Sequence, residues 1–179
     1  DKSTDIKKKT QLKSPFVIDK GEGALNLTLD SVFKQAKPAS KTTGWILYND
    51  EMPASTKLKD NAHLGHTKGV IAFDTKTETA YWLLHSWPKF AEPNAEHDPT
   101  PKYGQTYMCI SLDIDTARKI ANQMVNHQEP QVYFPNTADL TKDDDLFKLT
   151  QPIDFNATAD SDVLELSTIG GMPFKVIAK

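Results

Sequence analysis

Two apolar runs, KGVIAFD (68–74) and TAYWLLHS (79–86), are separated only by Thr75-Lys76-Thr77-Glu78, and this pairing constrains the fold more than any other feature. Each run is short and rich in branched and aromatic residues, so the two read as strands of a β-hairpin. A loop of that length sets Asp74 opposite Thr79 and, further along, Lys68 opposite His85. Side chains alternate faces along a strand, so His66 and Lys68 share a face, and the register adds His85 to it. Cationic groups gathered in one patch repel each other unless an anion sits among them. His66, Lys68 and His85 are therefore the candidate anion-handling cluster.

The rest of the chain supplies elements of both kinds. SPFVID (14–19) reads as a short strand, residues 26–36 as a helix ended by Lys37-Pro38, and WILYND (45–50) as a strand. A strand is expected over 103–113. A helix capped by Asp115 then runs from Thr116 to His127, with Ala117, Ile120, Ala121, Met124 and Val125 on one face. QVYF is a further strand, TKDDDLF (141–147) an acidic loop, and 163–168 and 172–179 are strands joined by Ile169-Gly170-Gly171. This order predicts an α/β domain with a mixed β-sheet flanked by helices. Residues 1–13 are polar and lysine-rich and are expected to form a mobile arm, leaving 14–179 as a single domain.

Composition narrows the function. With 179 residues, 38% of them hydrophobic, the chain can bury a core. A net charge of −3 argues against a globally basic nucleic-acid-binding surface, so any polyanion site must be local. Arg118 is the single arginine, which disfavours bidentate reading of guanine and hence sequence-specific DNA recognition. Cys109 is the sole cysteine, so neither an internal disulfide framework nor a cysteine-rich zinc site is available. No apolar run approaches the roughly 20 residues of a membrane helix, and no membrane partner is expected. No signal peptide is visible, and the absence of an initial methionine is compatible with removal of a leading segment. The sequons at Asn26 and Asn156 are candidate glycosylation sites that fit a secreted protein.

An isolated His-x-Lys carries little information. Three blocks in order carry more: GHTKGV (65–70), LLHSWPKF (83–90) and YGQTYMCIS (103–111), supported by NDEMP (49–53). Together they resemble the N-terminal half of the deoxyribonuclease II family, over nearly the whole chain. The resemblance implies one half of a phospholipase-D-like α/β fold, in which two similar halves each give a His-x-Lys to a shared site. It implies hydrolysis of DNA phosphodiesters in acid, without a metal or other cofactor, leaving 3′-phosphates. His66 and Lys68 match the family's first His-x-Lys, and His85 the histidine of the next block. Ser86 and Trp87 are candidate substrate contacts. Asp74 follows Lys68 with five residues between, where phospholipase-D relatives place an aspartate after four, so it departs from that pattern.

A phosphodiester repels nucleophiles, and its transition state places charge on the equatorial oxygens, so a fixed cation such as Lys68 lowers the barrier. Imidazoles can attack phosphorus or move the proton of the leaving oxygen. Two histidines in opposite charge states are most populated in mild acid. His63, His97 and His127 lack a lysine two positions on, so a second His-x-Lys is expected from another polypeptide half or a homodimer partner. The expected partner is DNA, bound without sequence preference, and the expected location is secreted, lysosomal or periplasmic. Two alternatives remain at this level: a non-catalytic secreted binding protein or toxin subunit, and a lipid phosphodiesterase of the same fold.

Overall fold

A computed structural model of the chain, describing residues 24–33, 40–53, 56–61, 63–90, 103–152 and 162–178, builds the hairpin in the expected register. Strands β1 (Thr43–Tyr48), β2 (Gly69–Asp74), β3 (Thr79–His85), β4 (Tyr107–Asp113) and β5 (Val132–Asn136) form one sheet in the order β4-β3-β2-β1-β5. Gly69 lies opposite Leu84 and Asp74 opposite Thr79. One step beyond the ladder, the His85 N–H donates to the Lys68 carbonyl at 3.4 Å, which sets those residues side by side. Strands β6 (Asp162–Ser167) and β7 (Pro173–Ala178) form a second, two-stranded sheet. Among the described residues every strand pair is antiparallel. The expected arm at 1–13, the strand at 14–19 and the sequon Asn156 lie outside the described residues, as does the side chain of Asn26.

Helices cover both faces of the five-stranded sheet, which gives the domain its α/β character. Helix α1 (Ala24–Phe33) sets Leu29 and Val32 against Trp45, Leu47, Val70, Ala72 and Leu83. On the other face α2 (Ile114–His127) buries Ala117, Ile120, Ala121 and Met124 against Ile46, Tyr48, Ile71, Phe73 and Trp82. Strands β1 and β2 are thus buried on both sides, and they read as continuous apolar runs rather than alternating ones.

The helix expected over 26–36 begins at Ala24, and two other helix assignments also differ from the sequence reading. The N-cap of α2 is Asp113, not Asp115, because the Asp113 carboxylate reaches the Thr116 N–H at 2.6 Å. Asp115 sits in the first turn and pairs with Arg118 at 2.8 Å. The expected acidic loop at 141–147 contains the start of a short helix, α3 (Asp145–Leu149). Asp144 caps it by accepting from the Leu146 N–H, and Leu146 and Leu149 enter the core. Arg118 also binds Asp144, at 2.8 Å, so the one guanidinium ties α2 to α3.

Gly69 fixes where β2 begins. The buried Tyr48 hydroxyl accepts from Trp82 Nε1 at 2.7 Å directly over Gly69, and a Cβ there would overlap that hydroxyl and lie 2.7 Å from the Leu83 carbonyl oxygen. We expect Gly69→Ala to lower stability by about 1–3 kcal/mol through overpacking, measured as a fall in the urea midpoint.

Candidate functional site

Four chain segments meet at one end of the five-stranded sheet. Strand β1 leaves through Asn49 and Asp50, β2 enters through His66 and Lys68, β3 leaves through His85 to Trp87, and β4 enters through Gln105 and Thr106. Asn49 is fully buried and ties two of these segments: its Nδ2 donates to the Trp87 carbonyl at 3.1 Å and its Oδ1 accepts from the Glu51 N–H at 3.0 Å. That clamp aims Asp50 at the start of β2.

The Asp50 carboxylate joins the two cationic groups. One oxygen pairs with Lys68 Nζ and the other with His66 Nδ1. The Lys68 side chain is only 8% exposed and that of His66 is 87% exposed, so the ammonium is held inside the wall while the ring stands in solvent. Burial alone would raise the Asp50 carboxyl, but the hydrogen bond and charge of Lys68, with the charge of His66, hold it below the ordinary carboxylate range. The sequence reading did not single out Asp50. The charge balance of the patch was the available signal: two cations brought together on one face call for a nearby carboxylate.

His85 takes the opposite environment. It is buried at 8% exposure, its ring 4.4 Å from that of Phe90 and 6.2 Å from that of Tyr107, measured between centroids. Burial, and then the charge of Lys68, push its pKa down to about 4. The Trp87 N–H donates to His85 Nδ1 at 3.2 Å, so the neutral ring carries its proton on Nε2. That Nε2 is buried and has no hydrogen-bond partner among the described residues. His66 is oriented the other way, since Asp50 at Nδ1 leaves Nε2 with the lone pair in the neutral ring.

The depressed His85 value has a consequence for stability. The unfolded chain takes up this proton near 6.5 and the folded chain only near 4, so the contribution is fully present above 6.5 and lost as pH falls to about 4. We expect stability to decline by roughly 3 kcal/mol over that window from this group. His85→Leu should remove most of that slope in urea midpoints measured from pH 7 to pH 4.

The remaining candidates have structural contacts. Ser86 Oγ bonds Gln105 Oε1 at 2.5 Å and accepts from the Thr106 N–H at 3.0 Å, joining β3 to the entry of β4. Trp87 is half-buried and packs edge-on to Phe90. Asp74 lies at the far end of β2, where its carboxylate accepts from the Lys76 and Thr77 N–H groups and from Thr43 Oγ1, closing the hairpin. It is a turn residue and takes no part in orienting His66.

An exposed imidazole and a buried ammonium share one carboxylate beside a buried N–H donor without a partner among the described residues, groups whose chemistry can serve an anion such as a phosphate ester. Residues 2–179 match the sequence model of the deoxyribonuclease II family, and the chain belongs to that family. It is 59% identical over 167 residues to a putative deoxyribonuclease-2 of Burkholderia pseudomallei, covering 93% of this chain and 47% of the relative. It is 36% identical over 121 residues to rat deoxyribonuclease-2-alpha, covering 65% of this chain and 33% of that protein. Plancitoxin-1 of Acanthaster planci is 34% identical over 114 residues, covering 62% of this chain and 30% of that protein. The chain thus spans about half the length of the bacterial relative and about a third of the animal ones.

Proposed function

We propose that this chain is the His66–Lys68 half of an endonuclease that hydrolyses DNA phosphodiester bonds in acid without a metal, leaving 3′-phosphates, with the remaining half or a second copy supplying another His-x-Lys. The observation that carries the reading is the convergence of His66 and Lys68 on Asp50 beside His85. Family membership supports DNA as the substrate.

The chemistry follows from the two opposite tautomers. A non-bridging phosphate oxygen accepts from Lys68 Nζ and from the His85 Nε2–H, which stays a neutral donor in mild acid because its ring resists protonation. Asp50 holds the Nδ1–H of His66, and His66 Nε2 attacks phosphorus. The bond from phosphorus to the 5′ oxygen breaks, and an acid from the second half protonates that oxygen as it leaves. Water then attacks the phosphorus on His66 and releases a 3′-phosphate. His85 is therefore a fixed donor to the phosphate and leaves proton transfer to His66 and its counterpart.

The test is cleavage of plasmid DNA by the full-length protein at pH 5 in excess chelator, with the product ends mapped. Nicked DNA bearing 3′-phosphates is the expected result. Turnover of phosphatidylcholine without DNA cleavage would move the site to lipid esters, and inertness toward both would make the chain a binding protein.

A further inference from the structure

Helix α2 covers two sheets at once. Its Ile120, Ala121 and Met124 share one core with Ile71, Trp82 and Leu112 of the five-stranded sheet and with Leu166 and Val176 of the β6–β7 hairpin. The two sheets nevertheless share no strand pairing. Between them lies a cavity of about 840 Å³, bounded on one side by β4 and on the other by β7 and the turn before it, with no lining residue from β6. The hairpin turn meets β4 at Ser111, whose carbonyl accepts from the Ile169 N–H at 2.9 Å, and this closes the gap at one end. At the other end Ile177 lies beside Thr67 and Gln128. β4 and β7 therefore run in opposite directions across the gap.

The hydrogen-bonding row along β4 shows what the gap can hold. The Thr106 carbonyl accepts from the Ser86 N–H at 3.2 Å, toward β3, whereas the Ser111 carbonyl points away from β3 to the hairpin turn. Alternation along an antiparallel strand thus turns the N–H and C=O of Tyr107 and Cys109 outward with Ser111, and those of Met108 and Ile110 toward β3. Among the described residues the outward groups of Tyr107 and Cys109 have no backbone partner. A bare row of this kind is a template for another strand. The wall beside it is apolar. Trp82, Leu84, Phe174 and Val176 line the cavity, and Met108 and Ile177 stand open to it at 56% and 69% exposure. Lys175 is the one charged lining residue among those described, and Glu165 pairs with it at 2.5 Å. Exposed apolar surface next to an unpaired edge is an aggregation liability unless something covers it.

We propose that a strand from the polypeptide outside this chain, in the full-length protein, fills the gap between β4 and β7 and joins the two sheets into one. The length for it exists: this chain spans 47% of the Burkholderia relative with which it is 59% identical. A small apolar ligand would meet the wall but leave the β4 backbone bare. A strand meets both, pairing with Tyr107 and Cys109 while alternate side chains turn toward Trp82 and Leu84. Because β4 and β7 run in opposite directions, a single strand between them is parallel to one and antiparallel to the other, so the completed sheet is mixed. Thr67, between His66 and Lys68, lines the open end of the gap, so the inserted strand braces the segment that carries the candidate centre. The inference goes beyond the nuclease reading and needs only the polypeptide beyond this chain.

The test is residue-resolved amide hydrogen exchange on the full-length wild-type protein. The Tyr107 and Cys109 amides are expected to exchange at least about 100-fold more slowly than in an unstructured chain, and within about tenfold of Met108 and Ile110, which β3 holds in either case. Rapid exchange at Tyr107 and Cys109 beside slow exchange at Met108 and Ile110 would overturn the proposal. Protection that appears only as concentration rises and the mass doubles would overturn it too, because a second copy would then occupy the gap. Met108→Asp gives an independent reading. On an open surface it leaves the melting temperature nearly unchanged, but beneath an inserted strand it should lower it by at least about 5 °C. An unchanged melting temperature would contradict the inserted strand. The exchange measurement uses wild-type protein, so it decides the question even if the variant does not fold. Neither readout involves DNA hydrolysis, so failure of the nuclease reading and failure of this inference are told apart.

Discussion

Full-length protein carrying His66→Gln should cleave DNA about 10³- to 10⁴-fold more slowly than wild type at pH 5, with an unchanged melting temperature. The two halves of that expectation come from different facts. The ring is 87% exposed and its one described hydrogen bond is to Asp50, so removing it leaves no cavity and strands no core group. Glutamine keeps polarity and approximate reach but has no lone-pair nitrogen able to attack phosphorus. A variant within threefold of wild type in kcat, measured on plasmid and on a short duplex, would remove His66 from the chemistry and with it the proposed role of Lys68. A variant that unfolds would instead show that the exposed ring is a structural element.

Asp50→Asn should be the most damaging single change to stability at this end of the sheet. It leaves the Lys68 ammonium, 8% exposed, with a neutral amide in place of a carboxylate. Breaking one partner of a buried pair costs roughly 3 kcal/mol, or about 10 °C in melting temperature for a domain of this size. Activity should fall as well, because His66 loses the group that fixes its tautomer. Adding Lys68→Met to Asp50→Asn should recover most of the stability, since no charge is then buried alone, while activity stays lost. Recovery of both, or of neither, would contradict the assignment of Asp50 as the link between the cations. Its positioning role has a separate signature: kcat of Asp50→Asn should fall with KM little changed, because the His66 ring is no longer held in one orientation for attack.

How much of this was legible in the sequence follows from the range over which each signal acts. The hairpin and its register were, because a four-residue loop and a period of two fix pairing locally, and Lys68 does fall beside His85. Asp50 was not, because it is 18 residues from Lys68 in sequence and reaches it only through the pairing of β1 with β2. The cap of α2 was misplaced within LDIDT, where two aspartates have equal propensity and only the end of β4 decides between them. The helix after Asp144 was hidden by its acidic composition, although Leu146 and Leu149 stand three apart, the spacing of one buried helical face. The opposite tautomers of His66 and His85 were beyond sequence, since each depends on a single donor or acceptor brought in by folding.

The coverage of both broad surfaces of the main sheet sets the direction from which anything can reach this centre. With α1 on one side and α2 on the other, the described helices occupy the two broad faces, and the 87% exposed ring of His66 stands at the strand ends between them. On the proposed reading, a substrate strand meets this centre end-on, along the strand axes. Insertions that lengthen the loops at this rim would therefore act as gates on substrate width, while equal insertions at the Thr75–Glu78 turn would leave entry untouched.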